Sequence, residues 1–276
     1  MTHADIEDGL RLCRLSRWDQ VARDWERYLG FGDSGATAAL RDNRVIGTSA
    51  RIRYGDRFGW IGMVLVDPDA QGQGLGASLL KYSLDARHDL PAIRLDATPA
   101  GYPLYLKQGF AEEGRLRRLE RTRSGGAAPP AQAGVRQMTR ADLAEIGAMD
   151  LGAFGAPRGE LLEWMVEGAP EYALVASREG ALVGYSFGRH GFEFDHLGPI
   201  VARDSRIAVQ LAAACLSHET SRGLIIDATC HDELWLRFLE QAGFREQRPF
   251  IRMYRGGPLP FGESRHQFAV LGPEFG

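Results

Sequence analysis

Glycines recur at alternate positions in one short stretch of the sequence, directly after an apolar run. Gly72, Gly74 and Gly76 follow the run at 64–66 and a turn at 67–68. Because glycine has no side chain, the backbone N–H groups there stay uncovered, and at a helix N-terminus such donors bind anions such as a pyrophosphate. The stretch therefore predicts a phosphate-binding loop between a strand and a helix.

The spacing separates this loop from two common nucleotide-binding motifs. A P-loop needs Lys followed by Ser or Thr after its last glycine, and no such pair follows Gly76. The dinucleotide fingerprint needs G-x-G-x-x-G, whereas the glycines here are spaced G-x-G-x-G. Nucleotide hydrolysis and NAD binding are therefore disfavoured.

The loop resembles the signature of the GNAT (GCN5-related N-acetyltransferase) superfamily. In that signature, a strand ending Val-x-Pro is followed by Gln or Arg, two further residues, Gly, one residue, and Gly or Ala. The resemblance extends over about residues 8–122. The matching residues are Val66, Pro68, Gln71, Gly74 and Gly76.

The resemblance implies that acetyl-coenzyme A (acetyl-CoA) binds between two splayed parallel strands, here residues 60–66 and 93–97. No metal is expected, because no second His or Cys stands at helical spacing to His196 or His231. Main-chain groups at the end of the first strand are expected to hold the pantetheine and the thioester, and the glycine loop the pyrophosphate. The residues expected to contact acetyl-CoA are Val64, Leu65, Val66, Gln71, Gly72, Gln73, Gly74, Leu75, Gly76 and Ala77.

The same resemblance gives a catalytic role to one tyrosine. Tyr105 lies four residues before Gly109 and Phe110, the place of a family tyrosine. Its expected role is to protonate the departing thiolate as a general acid. A phenol suits this step, because its pKa of about 10 is close to the thiol pKa of about 8.5. A backbone N–H is expected to stabilise the developing oxyanion.

The general base is missing from this constellation. The family often carries a carboxylate on the third strand of its antiparallel meander, but residues 61–63 are Ile, Gly and Met. We therefore expect attack by an already neutral amine, or through a water. Asp24 and Glu26 on the first predicted helix are candidates, although solvated helix charges are the simpler interpretation.

Hydrophobic periodicity predicts that these residues lie on a mixed α/β fold. A glycine-rich and proline-rich stretch at 124–134 separates two halves of similar plan, which indicates a linker between domains. The elements predicted for the first half are a strand at 10–15, a helix at 19–28, strands at 37–41, 45–52 and 60–66, a helix after the glycines, a strand at 93–97 and a helix at 103–108.

The second half repeats this plan with a changed loop. Leu-Asp-Ala-Thr at 95–98 is echoed by Ile-Asp-Ala-Thr at 226–229, which indicates duplication of one unit. Bulky residues replace the three glycines, so the second half is predicted to have lost the cofactor site. The replacing residues are Ile207, Val209 and Leu211, and Leu239 takes the place of Tyr105.

The second half also resembles the C-terminal domain of bacterial tandem acetyltransferases, through segments 198–202, 252–256 and 272–274. Several polar residues there are candidates for lining an acceptor pocket, although strand-end and helix-cap positions are the simpler interpretation. The basic strand at 115–123 is most simply a solvated face. The polar candidates are Asp195, His196, Asp227, His231 and Asp232.

Length and composition limit the number of domains and the classes of partner. The 276 residues suit two domains, and 33 Lys and Arg against 36 Asp and Glu, with no long run of one sign, disfavour a nucleic-acid partner. Three cysteines without C-x-x-C spacing disfavour a disulfide framework or a zinc site. The acidic start and the lack of about 18 consecutive apolar residues disfavour export and a membrane partner, so a cytoplasmic location is expected.

Together these observations predict two tandem GNAT-like domains, each a mixed, largely antiparallel sheet flanked by helices. Residues 1–123 form the catalytic domain, 124–134 the linker, and 135–276 a degenerate domain that shapes the acceptor site. The predicted reaction is acetyl transfer from acetyl-CoA to a primary amine of a small molecule. The alternatives are acetylation of a protein or peptide amino group, and a non-catalytic acyl-CoA-binding regulator. A homodimer is a candidate assembly.

Overall fold

A computed structural model of the chain describes residues 1–30, 32–87, 89–122, 134–218, 222–257 and 260–276. The chain forms two compact units. Unit 1 comprises Met1–Glu113, Arg252–Pro258 and Glu274–Gly276, and unit 2 comprises Gly114–Ile251 and Leu259–Pro273.

Each unit therefore contains residues from both halves of the sequence. For this reason the units do not coincide with the predicted division into 1–123 and 135–276. The predicted linker at 124–134 lies outside the described residues, apart from Gly134.

Unit 1 is built on a mixed sheet with the strand order β1-β2-β3-β4. The first three strands pair antiparallel, and β3 pairs in parallel with β4. The elements are α1 (Ile6–Leu15), α2 (Ala22–Gly30), β1 (Gly35–Arg41), β2 (Arg44–Tyr54), β3 (Phe58–Val66), α3 (Leu75–Asp85), β4 (Ala92–Ala97) and α4 (Tyr102–Lys107).

The strand predicted at 10–15 is wrong, because these residues belong to α1. The short window alternates in polarity, but the buried residues Gly9, Leu12 and Cys13 recur at helical spacing, while Leu15 is half exposed. The other elements predicted for the first half are present, with ends shifted by a few residues. The turn between β1 and β2 contains Asp42 and Asn43, both with positive φ, as a tight hairpin requires.

Unit 2 repeats this architecture with three added strands, which are β6 at the edge, β12 between β9 and β10, and β5 beyond β10, in the order β5-β10-β12-β9-β8-β7-β6. Strands β5 and β11 each have residues in both units. The elements are β5 (Ala111–Arg121), β6 (Val135–Gln137), α5 (Leu143–Phe154), α6 (Gly159–Gly168), β7 (Leu174–Arg178), β8 (Ala181–His190), β9 (Phe194–Ala202), α7 (Ser205–Leu216), β10 (Gly223–Thr229), α8 (Glu233–Gln241), β11 (Arg245–Gly256) and β12 (Gln267–Ala269).

The predicted fold class is confirmed in both units, since each is a mixed, largely antiparallel sheet flanked by helices. In unit 1, Trp25 and Tyr28 of α2 are fully buried. In unit 2, α7 and α8 bury an apolar face that includes Leu211 and Trp235. Among the described residues, no helix is both long enough and apolar enough to span a membrane.

Candidate functional site

Strands β3 and β4 of unit 1 diverge towards their C-terminal ends. They pair only at Gly59–Ile93 and Trp60–Arg94. Beyond these pairs, the strand pairing of β3 within the described residues is to β2 alone, as far as Val66, whose carbonyl also accepts a hydrogen bond from Gln71 Nε2. Main-chain groups at the end of β3 are therefore available on the β4 side, where a ligand could bind as an additional strand would.

A bulge interrupts β3 just before this open end. The register against β2 shifts between Thr48 and Ala50, and Met63 has a φ of 52°. The hydroxyl of Thr48 donates a hydrogen bond of 2.8 Å to the carbonyl of Met63 in a buried position. A non-glycine residue rarely adopts this conformation unless its surroundings impose it. Thr48 thus fixes the bulge, and no spacing in the sequence indicated this role.

The glycine loop leads directly into α3. Gly72 and Gly74 have φ values of 75° and 79°, a backbone region that favours glycine. Gly74 is the N-cap of α3, and no side chain caps the first turn. A Cβ built on either glycine would meet no protein atom within 4 Å. The amide groups at the start of α3 are therefore open to an anion, and the helix dipole favours one.

An ion pair fixes the entry to this loop. The carboxylate of Asp67 accepts hydrogen bonds from Arg11 Nη1 (2.7 Å) and from the backbone N–H of Asp69 (3.1 Å). Arg11 also donates to the carbonyl of Val45 (2.6 Å). The hydrogen bond from Arg11 lowers the pKa of Asp67, so this carboxylate stays ionised. Arg11 is 56 residues away in sequence, and sequence analysis missed it.

The residues predicted to contact acetyl-CoA form one continuous stretch of surface. Gln71 donates from Nε2 to the carbonyl of Val66 (3.2 Å), and Arg41 donates to Gln73 Oε1 (3.1 Å). Loop residues 71–74 are exposed, and Leu65 alone among the predicted contacts is buried. The half-buried members are Val64, Val66, Leu75, Gly76 and Ala77.

Tyr105 lies on α4, next to the start of α3. A Cβ built on Gly76 would lie 3.8 Å from Leu104 Cδ2, so the two helices meet at the glycine loop. The ring of Tyr105 is 8% exposed and packs edge-on against Phe110, with centroids 5.9 Å apart. Burial raises the pKa of Tyr105 to about 12. The hydroxyl is therefore protonated at neutral pH and can donate a proton or a hydrogen bond.

The face of β3 at Gly62 is covered by α2 and by the end of the chain. The Tyr28 hydroxyl donates to the carbonyl of Glu274, and the Tyr54 hydroxyl donates to the carbonyl of Phe275 (2.6 Å). The rings of Tyr28 and Phe275 are stacked, with centroids 5.1 Å apart. Residues from the second half of the sequence thus form part of unit 1.

The two candidate carboxylates on α2 differ in environment. Asp24 is 1% exposed, and its carboxylate accepts a hydrogen bond of 2.8 Å from the backbone N–H of Val21. Interpretation as a solvated charge is therefore wrong for Asp24, which stabilises the start of its helix. Glu26 is exposed.

In unit 2, the chain itself occupies both places that are open in unit 1. The N-cap of α7 is Asp204, whose carboxylate accepts from the backbone N–H of Ile207 (2.9 Å). Strands β9 and β10 also pair in parallel only at their N-terminal ends. Beyond that pairing, β12 lies between them and pairs with Ile200 and Val201 on β9 and with Ala228 on β10.

The predicted pairing of the two loops is wrong, because the N-caps make Asp204, and not Val209, the counterpart of Gly74. Ile207 and Leu211 are core residues that lie against Gly184 as Leu75 and Leu79 lie against Gly47 in unit 1, so they replace no loop glycine. Leu239 does take the place of Tyr105, since each is bound at its carbonyl by the N–H of the following Phe244 or Phe110. The hypothesis that unit 2 binds no cofactor therefore rests on Asp204, β12 and Leu239.

Most of the polar candidates of the second half have structural partners. Asp227 is bound by Arg118 through hydrogen bonds of 2.8 and 2.7 Å, and His196 Nε2 lies 3.0 Å from the same carboxylate. Arg118 is 3% exposed, so interpretation of the basic strand as a solvated face is wrong at this residue. Asp195 accepts from Tyr172 (2.8 Å), and Asp232 caps α8 at the N–H of Trp235 (2.9 Å).

Burial sets the charge state of this cluster. Burial lowers the pKa of His196 to about 4, outweighing the opposite effect of Asp227. For Asp227, burial acts to raise the pKa, but Arg118 outweighs it and the pKa falls. Among the residues that the structure describes, no group of three or more His, Cys, Asp or Glu side chains could hold a metal.

Comparison with known proteins agrees with this geometry. Family models described as "Acetyltransferase (GNAT) domain" match residues 33–112 and 146–269. An uncharacterized N-acetyltransferase of Bacillus subtilis (strain 168), YitH, is 27% identical over 217 residues, which are 78% of this chain and 76% of that protein.

Two solved structures show the same fold at low identity. A protein from Pyrococcus horikoshii assigned to the acetyltransferases has a TM-score of 0.83 at 22% identity, covering 100% of this chain and 94% of its own. A tandem GNAT protein from the clavulanic acid biosynthesis pathway has a TM-score of 0.67 at 14% identity, covering 93% and 96%. The chain thus belongs to the GNAT superfamily of acetyltransferases, as a protein with two tandem domains of that family.

Proposed function

We propose that unit 1 transfers the acetyl group of acetyl-CoA to a primary amine of a small molecule. One observation carries this proposal. The first turn of α3 begins at a glycine with no side-chain cap, whereas the corresponding helix of unit 2 is capped by its own Asp204. An uncapped helix N-terminus beside an open strand end suits a ligand with both a pyrophosphate and an extended amide chain.

Two segments of the first half are proposed to bind different parts of acetyl-CoA. In the proposal, the amides of residues 72–77 bind the pyrophosphate, and the main chain of Val64–Val66 binds the pantetheine. Bound acetyl-CoA would supply an acyl group already activated as a thioester. A backbone N–H near the bulge at Met63 would stabilise negative charge on the carbonyl oxygen, and Thr48 would hold that bulge in place.

Tyr105 is the proposed proton donor to the departing sulfur. Its pKa of about 12 exceeds that of a thiol, at about 8.5, by more than the ordinary phenol pKa of about 10 does. Tyr105 would therefore act first as a hydrogen-bond donor to the sulfur and release its proton only as the C–S bond breaks. Because Tyr105 is protonated at rest, it cannot take the first proton from the acceptor ammonium at neutral pH.

A small acceptor fits better than a folded protein surface. At Gly62 the face of β3 is covered by Tyr28 and by Glu274, which is 2% exposed. Such cover restricts access from bulk solvent. Because Glu274 comes from the second half of the sequence, its presence in unit 1 also supports the hypothesis that the second half shapes the acceptor site.

Gly76→Val tests the cofactor site without imposing a positive φ on the new side chain. Gly76 has no positive φ, and its Cβ would meet ordinary contacts at 3.6 and 3.8 Å. The family signature accepts Ala at this place, but the branched side chain of Val would cover the first-turn amides. We therefore expect the Kd for acetyl-CoA to rise at least about 10-fold, a loss of about 1.4 kcal/mol. Titration calorimetry measures this, and it should give one acetyl-CoA per chain for the unmodified protein. Gly147→Val on α5, also free of steric conflict, is the matched control.

Release of free CoA across a panel of amines tests the activity itself. The panel contains amino acids, polyamines, aminoglycosides, amino sugars and N-terminal peptides. Turnover with a small amine supports the proposal, and turnover with peptides alone would contradict the small-molecule acceptor. Two equivalent acetyl-CoA sites per chain, or unchanged affinity in Gly76→Val, would contradict the proposed cofactor site.

A further inference from the structure

Several carboxylate side chains are buried in unit 1. Within its described residues they belong to Asp24, Asp67, Asp96 and Glu274. The bonds to Val21 and Arg11 described above assign structural roles to the first two. Asp96 is bound by Arg252 through two hydrogen bonds of 2.8 Å. Glu274 differs in its position, because its backbone lies against β3 itself.

Glu274 packs on β3 at a glycine. A Cβ built on Gly62 would lie 2.7 Å from the carbonyl oxygen of Glu274 and 2.9 Å from its Cα. Distances under 3.0 Å require something to shift, so only glycine permits this approach. Gly62 directly precedes Met63, where β3 bulges before its open end. Glu274 is therefore held next to the segment that would present the acyl group.

Aromatic residues of α2 and β2 fix this part of the chain. Tyr28 and Tyr54 bind the carbonyls of Glu274 and Phe275, respectively. Phe275 is fully buried against Tyr28. The backbone around Glu274 is thus anchored at two successive carbonyls, and its side chain starts from a defined position.

We propose that Glu274 is the general base that accepts a proton from the acceptor amine. This assignment rests on the proposed function. Residues 61–63 supply no carboxylate, and Glu274 lies on the central one of these three. The chain thus brings to β3 from elsewhere the type of group that the strand lacks. A buried carboxylate also selects its substrate, since it attracts a cation and so favours an amine that arrives as an ammonium ion.

The proton balance assigns one role to each residue. The ammonium nitrogen gives one proton to Glu274 and then forms the C–N bond with the thioester carbonyl carbon as the C–S bond breaks. Tyr105 gives its proton to the sulfur, and the second proton lost by the nitrogen restores the Tyr105 hydroxyl. Glu274 passes its proton to solvent after the product leaves. The products are the N-acetylated amine, CoA as the thiol, and one proton.

Glu274→Gln tests this role, because it keeps the shape of the side chain and removes its charge. With an amine that the unmodified protein accepts, we expect kcat/KM at neutral pH to fall by about 10²–10⁴-fold, the usual contribution of a positioned base. The defect should shrink as pH rises towards the amine's own pKa, because a neutral amine needs no base. Affinity for acetyl-CoA should stay unchanged. Glu263→Gln, an exposed residue of the same segment, is the control.

The pH profile separates catalysis from structure. A loss that is the same at every pH, or no loss, would overturn the assignment to Glu274 while leaving acetyl transfer established. If the unmodified protein releases no CoA with any amine, the proposed function fails and the assignment falls with it. Should Glu274→Gln not fold, Gly62→Ala is the second variant, because its Cβ would displace the Glu274 backbone. It should show the same pH-dependent loss, and unchanged turnover would overturn the assignment.

Discussion

In unit 1 the N-cap of the helix after the parallel strand is Gly74, and in unit 2 the N-cap of the corresponding helix is Asp204. The space between the parallel strands differs in the same way, since β12 fills it in unit 2. Apart from these places and the added strands β5 and β6 of unit 2, the two units share the strand order and the flanking helices. A ligand site of this kind therefore depends on backbone groups left without partners, and a duplicated unit loses it when its own chain supplies those partners.

The feature that both units retain is a buried arginine–aspartate pair. In unit 1, Arg252 binds Asp96 through two hydrogen bonds of 2.8 Å, and in unit 2, Arg118 binds Asp227 at 2.8 and 2.7 Å. Each arginine comes from the other half of the sequence. A buried carboxylate left without its arginine would be strongly destabilising. Both units thus keep an ion pair that joins the two halves of the sequence, although only unit 1 has the uncapped helix start and the open strand end.

Among the substitutions that compare the two units, Tyr105→Phe should lower the activity most. Unit 2 has Leu239 at the corresponding place, so Tyr105→Phe removes from unit 1 a hydroxyl that unit 2 also lacks. We expect kcat to fall by about 10²–10⁴-fold, with acetyl-CoA affinity nearly unchanged. Steady-state kinetics and calorimetry measure the two quantities.

Tyr102→Phe is the matched control, because Tyr102 lies on the same helix and its hydroxyl donates to the exposed Glu112. Turnover in Tyr105→Phe equal to that of this control would show that another group protonates the sulfur.

Gly74→Asp gives unit 1 the residue type that caps α7 in unit 2. A carboxylate beside the first turn of α3 would repel a pyrophosphate and compete for its amides, so acetyl-CoA affinity should fall at least about 100-fold. Gly74→Asn is the neutral control of similar shape, and Asp and Asn both tolerate a positive φ better than other side chains.

The reverse change, Asp204→Gly, should create no second site, because β12 still occupies the strand gap. Native affinity in Gly74→Asp, or a second bound acetyl-CoA in Asp204→Gly, would show that the N-cap residue and β12 do not decide which unit binds acetyl-CoA.

The smallest expected effect is the pH dependence of unit 2. The pKa of His196 is lowered to about 4, whereas an unfolded histidine titrates at about 6.5. Between these values the unfolded chain binds a proton that the folded chain does not, so stability falls as pH decreases through this window. We expect the free energy of unfolding to fall by about 1–3 kcal/mol.

Denaturant titration at several pH values measures this slope. His196→Asn should flatten it, while His266→Asn, which removes a more exposed histidine that pairs with Glu263, should leave it in place. An unchanged slope in His196→Asn would mean that other groups set the acid sensitivity.

The sequence was most informative where local chemistry decides the structure. Gly72 and Gly74 have the positive φ values that make glycine necessary, and the strand–loop–helix order around them was predicted. The duplication was also predictable, because it rests on repeated residues. The alternating pattern at 10–15 failed, because so short a window cannot separate a strand from one face of an amphipathic helix.

Local sequence patterns could not predict ion pairs between residues that are far apart in the sequence. Arg11 fixes the glycine loop through Asp67, and Arg118 binds Asp227 from 109 residues away. Such arginines look like ordinary surface charges in a sequence, because what distinguishes them is burial. The position of Glu274 next to Gly62 is of the same kind, since no local spacing connects residues so far apart in the chain.

The pairing of Arg252 with Asp96 also bears on how the protein is made. The two residues are 156 positions apart, and ribosomes add about 5–20 residues per second. Asp96 is therefore synthesised roughly 8–30 s before the arginine that neutralises it. During this interval the nascent first half carries a carboxylate that cannot be buried at low cost. Because unit 1 includes residues from Arg252 onward, it cannot be complete before translation has passed this residue.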